Sequence, residues 1–232
     1  METEKSLKLS VIIPCYNEAG HITKVLDAVK AVDMPKEIIV VDDGSTDHTA
    51  DVVEEYNQDG AISLHLSPNN FGKGAAIRTG LRYVTGDIVI IQDADLEYDP
   101  QQYPQIIQPI VDGKADVVYG SRFAGKIVGM RLPNRIANYI LTWFANILFK
   151  ANITDEATCY KAFRSDIIKS VPLKCTRFEF CPEVTAKICK RGIRITEVPI
   201  EYVGRNVAEG KKIRWTDAFV AIWTLIKYRF VD

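Results

Sequence analysis

The chain has 232 residues, 47% of them hydrophobic and 25% charged, with 29 basic against 30 acidic residues and a net charge of −1. It is long enough for one substantial core, and the near-neutral balance excludes a broad polycationic surface, so no nucleic-acid partner is expected. Five cysteines (15, 159, 175, 181, 189) without a Cys-x-x-Cys argue against a disulfide framework, and three scattered histidines (21, 48, 65) argue against zinc. The N-terminal Met-Glu-Thr-Glu-Lys lacks the basic-then-apolar pattern of a signal peptide, and with the cysteine usage this points to a reducing, cytoplasmic setting.

Residues 9–13 form a β-branched run halted by Pro14, and residues 18–32 place Ile22, Val25, Leu26 and Val29 on one helical face. Residues 38–41 read as a buried strand ending in Asp42-Asp43-Gly44-Ser45, with Thr46 or Asp47 able to cap a helix through about Tyr56. A strand at 62–66, a helix at about 72–83, a strand at 88–91, a helix at 101–111 and a strand at 115–119 follow. Strand and helix alternating at this spacing predict a mostly parallel sheet covered on both faces. Beyond Gly120-Ser121-Arg122 the pattern changes. An apolar helix is expected from about Asn134 over 136–149, a strand at 194–199, a basic glycine-bearing loop at 203–212, and a helix at 216–230. No linker splits the chain, so 1–232 is read as a single domain. Residues 8–124 would form a nucleotide half and 125–232 an acceptor-side helical half.

The stretch Thr-Gly-Asp-Ile-Val-Ile-Ile-Gln-Asp-Ala-Asp-Leu-Glu-Tyr-Asp-Pro (85–100) carries the most chemistry. A strand apolar on both faces delivers Asp93, Asp95 and Glu97 at its end, where ligands of open α/β sheets bind. Hard oxygen ligands in that place suit Mg²⁺ or Mn²⁺, an ion that commonly holds a diphosphate. On its own, such a turn also suits a solvated acidic cap. Pro14-Cys15-Tyr16-Asn17-Glu18 follows the first strand: Tyr16 offers a stacking face and Glu18 an acceptor, with a plain turn capped by Asn17 as the alternative. Asp42-Asp43 ends the second strand, where an acidic residue can receive ribose or base, or cap a helix. Gly72-Lys73-Gly74 lacks the remainder of a Walker A or dinucleotide fingerprint, so a helix N-terminus packed close to the sheet is expected. Arg122, at the end of the fifth strand, could offset charge on a leaving diphosphate, and Arg135, Arg205 and Lys211 are further basic positions that could bind a phosphate.

Together, Val-Ile-Ile-Pro-Cys-Tyr-Asn-Glu (11–18), Val-Val-Asp-Asp-Gly-Ser-Thr-Asp (40–47), Asp-Ala-Asp-Leu-Glu (93–97) and Gly-Ser-Arg (120–122) resemble the family-two inverting glycosyltransferases with a GT-A fold. Within them the chain looks most like the dolichol-phosphate mannose synthase group, which moves a hexose from a nucleotide sugar to a polyprenyl phosphate. The resemblance implies donor binding by Pro14, Tyr16, Glu18, Val41, Asp43, Asp93, Ala94, Asp95 and Arg122. Asp93, Asp95 and Glu97 would meet Mg²⁺ or Mn²⁺, with Asp95 and Arg122 central to catalysis. Arg135, Arg205 and Lys211 would receive the acceptor phosphate. Glu97 stands where several relatives carry glutamine, and 155–164 departs from the usual serine- or threonine-glycine-phenylalanine turn.

The implied partners are a nucleotide diphosphate sugar (GDP-mannose or a UDP-hexose) and a polyprenyl phosphate, with room for a second copy or a membrane-protein partner. An acceptor phosphate is already anionic and needs no base; a hydroxyl acceptor would need one, with Asp155 or Glu183 as candidates. No stretch reaches the ~18–20 apolar residues of a membrane span. The 136–149 and 216–230 helices, with Lys211, Lys212 and Arg214, are expected to lie at the cytoplasmic face of a membrane; core or dimer packing is the alternative. Rival functions are transfer to a soluble or lipid-linked glycan, and a non-catalytic nucleotide-sugar binding module. A sugar-nucleotide pyrophosphorylase would instead need a glycine-rich, arginine-bearing loop after the first strand.

Overall fold

Runs of β-branched residues buried on both faces build the centre of the sheet, as parallel strands covered by helices require. Every residue of β1 (Leu9–Cys15) and of β4 (Ile88–Ile91) is buried in the computed structural model, which describes residues 7–204 and 215–231. Around them lie β2 (Lys36–Asp42), β3 (Ile62–Leu66), β5 (Val117–Val128), β6 (Lys161–Arg164) and β7 (Ile195–Val203). The seven strands form one sheet in the order β3-β2-β1-β4-β6-β5-β7. β6 runs antiparallel to both its neighbours, and every other pairing is parallel. All strands except β6 therefore end at one edge, and the order reverses at β1, between β2 and β4. That reversal opens the crevice in which α/β sheets bind ligands.

The helices follow the apolar spacing. α1 (Ile22–Lys30) buries Ile22, Val25, Leu26 and Val29, one stripe at steps of three and four. It starts at residue 22 and not 18, because the Glu18 carbonyl accepts from both His21 and Ile22 at 2.9 Å and closes a turn first. α2 (Thr49–Tyr56) has His48 at its N-cap, and the Asp47 carboxylate one residue earlier accepts from the Thr49 amide at 3.0 Å. α3 (Lys73–Gly80) and α4 (Tyr103–Val111) complete the first half. α5 (Leu132–Phe149), α6 (Ser165–Ser170), α7 (Phe180–Lys190) and α8 (Trp215–Phe230) belong to the second.

Three features depart from expectation. β5 does not stop at residue 119 but continues to Val128, so Arg122 lies inside the strand, where the register against β7 shifts between Ser121 and Lys126. A Cβ on Gly125 would stand 2.0 Å from the Ile200 carbonyl oxygen, so only glycine passes there. β6, four residues long, is too short to show a period. α7 carries Pro182 in its first turn, where the missing N–H has no partner to lose. The 203–212 loop lies mostly outside the described residues, as do Arg205, Lys211, Lys212 and Arg214.

Candidate active site

A cavity of about 410 Å³ opens beyond the ends of β1, β2 and β3, lined by Tyr16, Asp42, Gly44, Ser45, Thr46 and residues of the loop after β3. Its walls are fixed by bonds between loops. Asn17 adopts φ 51°, a left-handed conformation that asparagine tolerates. Its Oδ1 accepts from the Thr46 amide at 2.8 Å and the Asp47 amide at 3.3 Å. Asn17 thus ties the β1 loop to the β2 loop and does not cap α1. Gly44 has φ +72°, and a Cβ there would stand 2.5 Å from the Asn69 carbonyl carbon. Asp43 accepts from the amides of Phe71 at 3.0 Å and Gly72 at 2.6 Å, and so holds the loop leading into α3. Burial pushes its carboxyl upward, which those two bonds only partly offset. Pro14 and Val41 are buried register partners across β1 and β2. Glu18 is buried, with its carboxylate 3.2 Å from His21 Nδ1. Of the residues expected at the nucleoside, Tyr16 lines the cavity and the others shape the backbone around it.

At the end of β4, Gln92 is fully buried and accepts from the hydroxyls of Tyr103 at 2.6 Å and Tyr160 at 2.8 Å. Its amide nitrogen donates to the Asp93 carbonyl at 3.0 Å, which fixes the backbone that presents the carboxylates. Asp93 accepts from the Lys73 ammonium. Asp95 turns one oxygen back to the Glu97 amide at 3.0 Å, and Glu97 accepts from the Tyr202 hydroxyl at 2.8 Å. Ala94 is buried between them. The three carboxylates therefore do not converge on one point, and among the described residues no group of three His, Cys, Asp or Glu side chains forms a cage for a cation. The donor set still fits Mg²⁺ or Mn²⁺, because such ions are commonly held by one or two carboxylates together with substrate phosphates.

Arg122 meets Asp155 through two parallel contacts, Nε to Oδ2 at 2.6 Å and Nη2 to Oδ1 at 2.7 Å, and its backbone amide adds a third at 3.0 Å. Both side chains are buried. Burial works against the charged guanidinium, but the Asp155 carboxylate outweighs it, so Arg122 is held cationic. The Asp155 loop is pinned in turn by Glu197, which accepts from the Asp155 amide at 3.0 Å and the Thr154 amide at 2.8 Å. The Tyr202 ring lies 5.3 Å from the guanidinium, so Tyr202 spans Arg122 and Glu97. Arg135 is exposed on the first turn of α5, with its guanidinium 5.8 Å from the Tyr139 ring. Tyr139 packs on Phe123, the neighbour of Arg122, at 4.6 Å between centroids. Arg135 therefore lies on the Arg122 side of the sheet edge. Glu183, the other candidate base, has partners of its own. It is buried in α7, where it accepts from Lys187 at 2.6 Å and from the amides of Lys174 at 2.7 Å and Cys175 at 2.6 Å. It anchors the 174–175 loop.

The close packing expected at Gly72-Lys73-Gly74 is present, but its partner is a loop and not the sheet. The Gly74 and Ala75 amides donate to the carbonyls of Arg177 at 3.0 Å and Thr176 at 2.9 Å. Those helix-start amides are spent within the protein and offer no phosphate cradle. What sequence reasoning missed is the lysine between the glycines: Lys73 reaches Asp93, and Cys159 Sγ at 3.2 Å. Burial disfavours its charge, yet Asp93 more than offsets this and holds the ammonium well above its ordinary pKa. The available signal was a lone lysine opening a helix one strand before an Asp-x-Asp turn. Gln92, Tyr202 and Glu197 were also missed, because their roles depend on partners far away in sequence.

These residues place the chain among known proteins. Residues 10–171 match the model of the family described as glycosyl transferase family 2. The chain is 32% identical over 204 residues to the low-salt glycan biosynthesis hexosyltransferase Agl6 of Haloferax volcanii, covering 85% of this chain and 48% of that protein. It therefore spans about half the length of that relative. It is 28% identical over 214 residues to an undecaprenyl-phosphate mannosyltransferase of Micrococcus luteus, covering 88% of this chain and 87% of the relative. Among solved structures, its fold matches glucosyl-3-phosphoglycerate synthase from Mycobacterium tuberculosis, solved with Mn²⁺, UDP and phosphoglyceric acid. The TM-score is 0.75 at 22% identity, over 97% of this chain and 80% of that one. Sheet order, sheet-edge constellation and family match agree: the chain belongs to glycosyl transferase family 2.

Proposed function

We propose that the protein transfers a hexose from a nucleotide diphosphate sugar to a polyprenyl phosphate, with inversion and with the help of a divalent cation. The observation that carries this reading is the alignment, along one sheet edge, of the Tyr16 cavity, the Asp93 and Asp95 tip, and the Arg122–Asp155 pair. The cavity suits a nucleoside, with Tyr16 as the face against the base. The tip suits the diphosphate, with Asp95 and Asp93 as the residues that would hold Mg²⁺ or Mn²⁺. That cation would neutralise charge as the diphosphate leaves. Arg122, held in place by Asp155, adds a fixed cationic group at the same edge.

An oxygen of the acceptor phosphate attacks the anomeric carbon in line. The new bond is carbon to phosphate oxygen, and the bond to the nucleoside diphosphate breaks with its electron pair going to that leaving group. The acceptor oxygen is anionic from the start, so no side chain has to take a proton. This agrees with a site whose two candidate bases are engaged elsewhere, Asp155 by Arg122 and Glu183 by Lys187. Positioning and charge compensation are what remain for the protein to supply. Arg135, with Arg205 and Lys211 beyond the described residues, would receive the acceptor phosphate.

A lipid acceptor is supported by the exposed faces of α5 and α8, which pack against each other. Leu132, Ile136, Ile140, Trp143 and Ile147 form an exposed stripe on α5, while Phe219, Trp223 and Phe230 are exposed on α8. Soluble helices bury such stripes, and interfacial helices lay them on lipid. Among the described residues no helix is long and apolar enough to cross a membrane. The test offers GDP-mannose, UDP-glucose and UDP-N-acetylglucosamine with a short polyprenyl phosphate and, separately, a soluble glycan, with and without Mn²⁺. Cation-dependent glycolipid from wild type, lost in Asp95→Ala, is the expected result; transfer to the glycan alone would replace the acceptor in this reading. Flotation with liposomes should be lost in Trp223→Asp/Phe230→Asp, and equal binding by wild type and variant would remove the membrane from the proposal.

A further inference from the structure

Among the described residues, Lys73 is a strongly placed cation at the diphosphate end of the sheet that the reaction as written does not use. Its backbone is fixed by the bonds from Gly74 and Ala75 to the 176–177 carbonyls. Its ammonium meets Asp93 on one side and Cys159 Sγ, on the loop before β6, at 3.2 Å on the other. Lysine and aspartate side chains are mostly covered, at 22% and 21% exposure, so water screens the pair only weakly. Asp93 is also one of the two carboxylates that fit a divalent cation. Two positive centres beside the same carboxylate repel each other unless further negative charge arrives. A nucleoside diphosphate brings that charge.

We propose that the Lys73 ammonium stands in for part of the divalent cation's charge on Asp93, and that it thereby makes cation binding conditional on the nucleotide diphosphate. The inference rests on the reading that Asp93 and Asp95 meet the cation. In wild type the cation alone competes with an ammonium that is already seated. When the diphosphate is present, the carboxylates and phosphates together offer enough negative charge for both. The order of events follows: nucleotide and cation bind as a unit, and a bare cation is held weakly. Removing the ammonium leaves Asp93 open to the cation and weakens the preference.

The experiment is a titration of the full chain with Mn²⁺, read by electron paramagnetic resonance of the free ion, with no nucleotide, with UDP and with GDP. Wild type, Lys73→Met, Lys73→Arg and Asp95→Ala are compared. Mn²⁺ alone should bind Lys73→Met about 10-fold more tightly than wild type; the nucleotide should strengthen Mn²⁺ binding to wild type by about 5- to 150-fold, the range usual for coupled sites, and should strengthen it far less in the variant. Lys73→Arg keeps the charge and should behave as wild type. If Lys73→Met does not fold, Lys73→Gln is measured against the same criterion. Mn²⁺ binding to Lys73→Met no tighter than to wild type overturns the inference while leaving the cation site intact, provided wild type binds Mn²⁺ with nucleotide and Asp95→Ala does not. Absence of Mn²⁺ binding in every variant, with or without nucleotide, overturns the cation reading and this inference with it.

Discussion

Arg122 and Asp155 are joined by two side-chain contacts and one backbone contact, all within 3.0 Å, in a place that excludes water. The pair sets the direction of the guanidinium and neutralises its charge when no substrate is bound. Breaking it from either side leaves a buried charge, which costs about 3–5 kcal/mol. We expect Arg122→Met and Asp155→Leu each to lower stability by that order in urea unfolding. The double variant should recover most of the loss, because neither charge is then stranded. Activity should not recover: a missing fixed cation at developing charge lowers kcat by about 10²–10³. Recovery of kcat in the double variant would show that Arg122 serves the fold alone.

Tyr16 lines the cavity beside Ser45 and Thr46. If its ring carries the nucleobase, Tyr16→Ala should weaken nucleoside diphosphate binding by about 1–3 kcal/mol, the usual worth of a base on an aromatic ring. Tyr16→Phe should bind nearly as wild type does. Isothermal titration with UDP and GDP reads both, and equal affinity in wild type and Tyr16→Ala would move the base elsewhere.

Glu183 divides stability from chemistry. Burial raises its pKa, but Lys187 and the amide of Lys174 outweigh that and hold the carboxyl below its ordinary value. Glu183→Ala strands Lys187 in the interior, with an expected loss of about 3–5 kcal/mol. The fraction that remains folded should turn over at the wild-type rate with a phosphate acceptor. A large fall in kcat per folded molecule, with stability unchanged, would restore Glu183 as a candidate base.

Acid sensitivity should concentrate at Glu37, at the opposite end of the sheet from the site. Burial alone would raise its carboxyl, but Lys8, Ser10 and Thr85 hold it down from 4.5 to about 2. A carboxyl lower in the folded than in the unfolded state stabilises fully above about pH 4.5, and that share is lost as pH falls toward about 2. The amount is about 2–3 kcal/mol after allowance for partial exposure. Glu37→Gln should be less stable at neutral pH and should flatten the slope of unfolding free energy across that acid window. Parallel slopes for the two proteins would place the acid transition elsewhere.

The parts of the fold legible in the sequence were those carried by local pattern. The apolar runs at 62–66 and 88–91 became β3 and β4 with the same bounds, since a buried strand between turn residues is visible within its own few residues. The Asp93 and Asp95 tip could be placed for the same reason. Arg122 was found, but its setting was not, because the extension of β5 comes from pairing with β7 and from the space at Gly125. Asp155 drew notice only as a candidate base, since nothing nearby in the chain announces its partner 33 residues earlier. Asp43 was read as a nucleoside ligand, and its visible work is to hold amides of Phe71 and Gly72 across 28 and 29 residues. Lys73 escaped because its flanking glycines suggested backbone packing and drew attention from the side chain.

β6 gives the molecule an order of assembly. Among the described residues this four-residue strand, Lys161–Arg164, alone bridges β4 and β5, since it pairs with both and they do not pair with each other. A nascent chain that has emerged as far as residue 128 has made β1 to β5, yet β4 and β5 still lack the strand that joins them. Ribosomes add about 5–20 residues per second, so the incomplete sheet waits for seconds with apolar strand edges open, a condition that favours chaperone capture over spontaneous closure. Pairings this distant in sequence also slow folding in isolation. A fragment ending just after β5, at Gly129, should therefore aggregate, whereas its co-expression with the remaining piece should yield a soluble complex stitched together by β6.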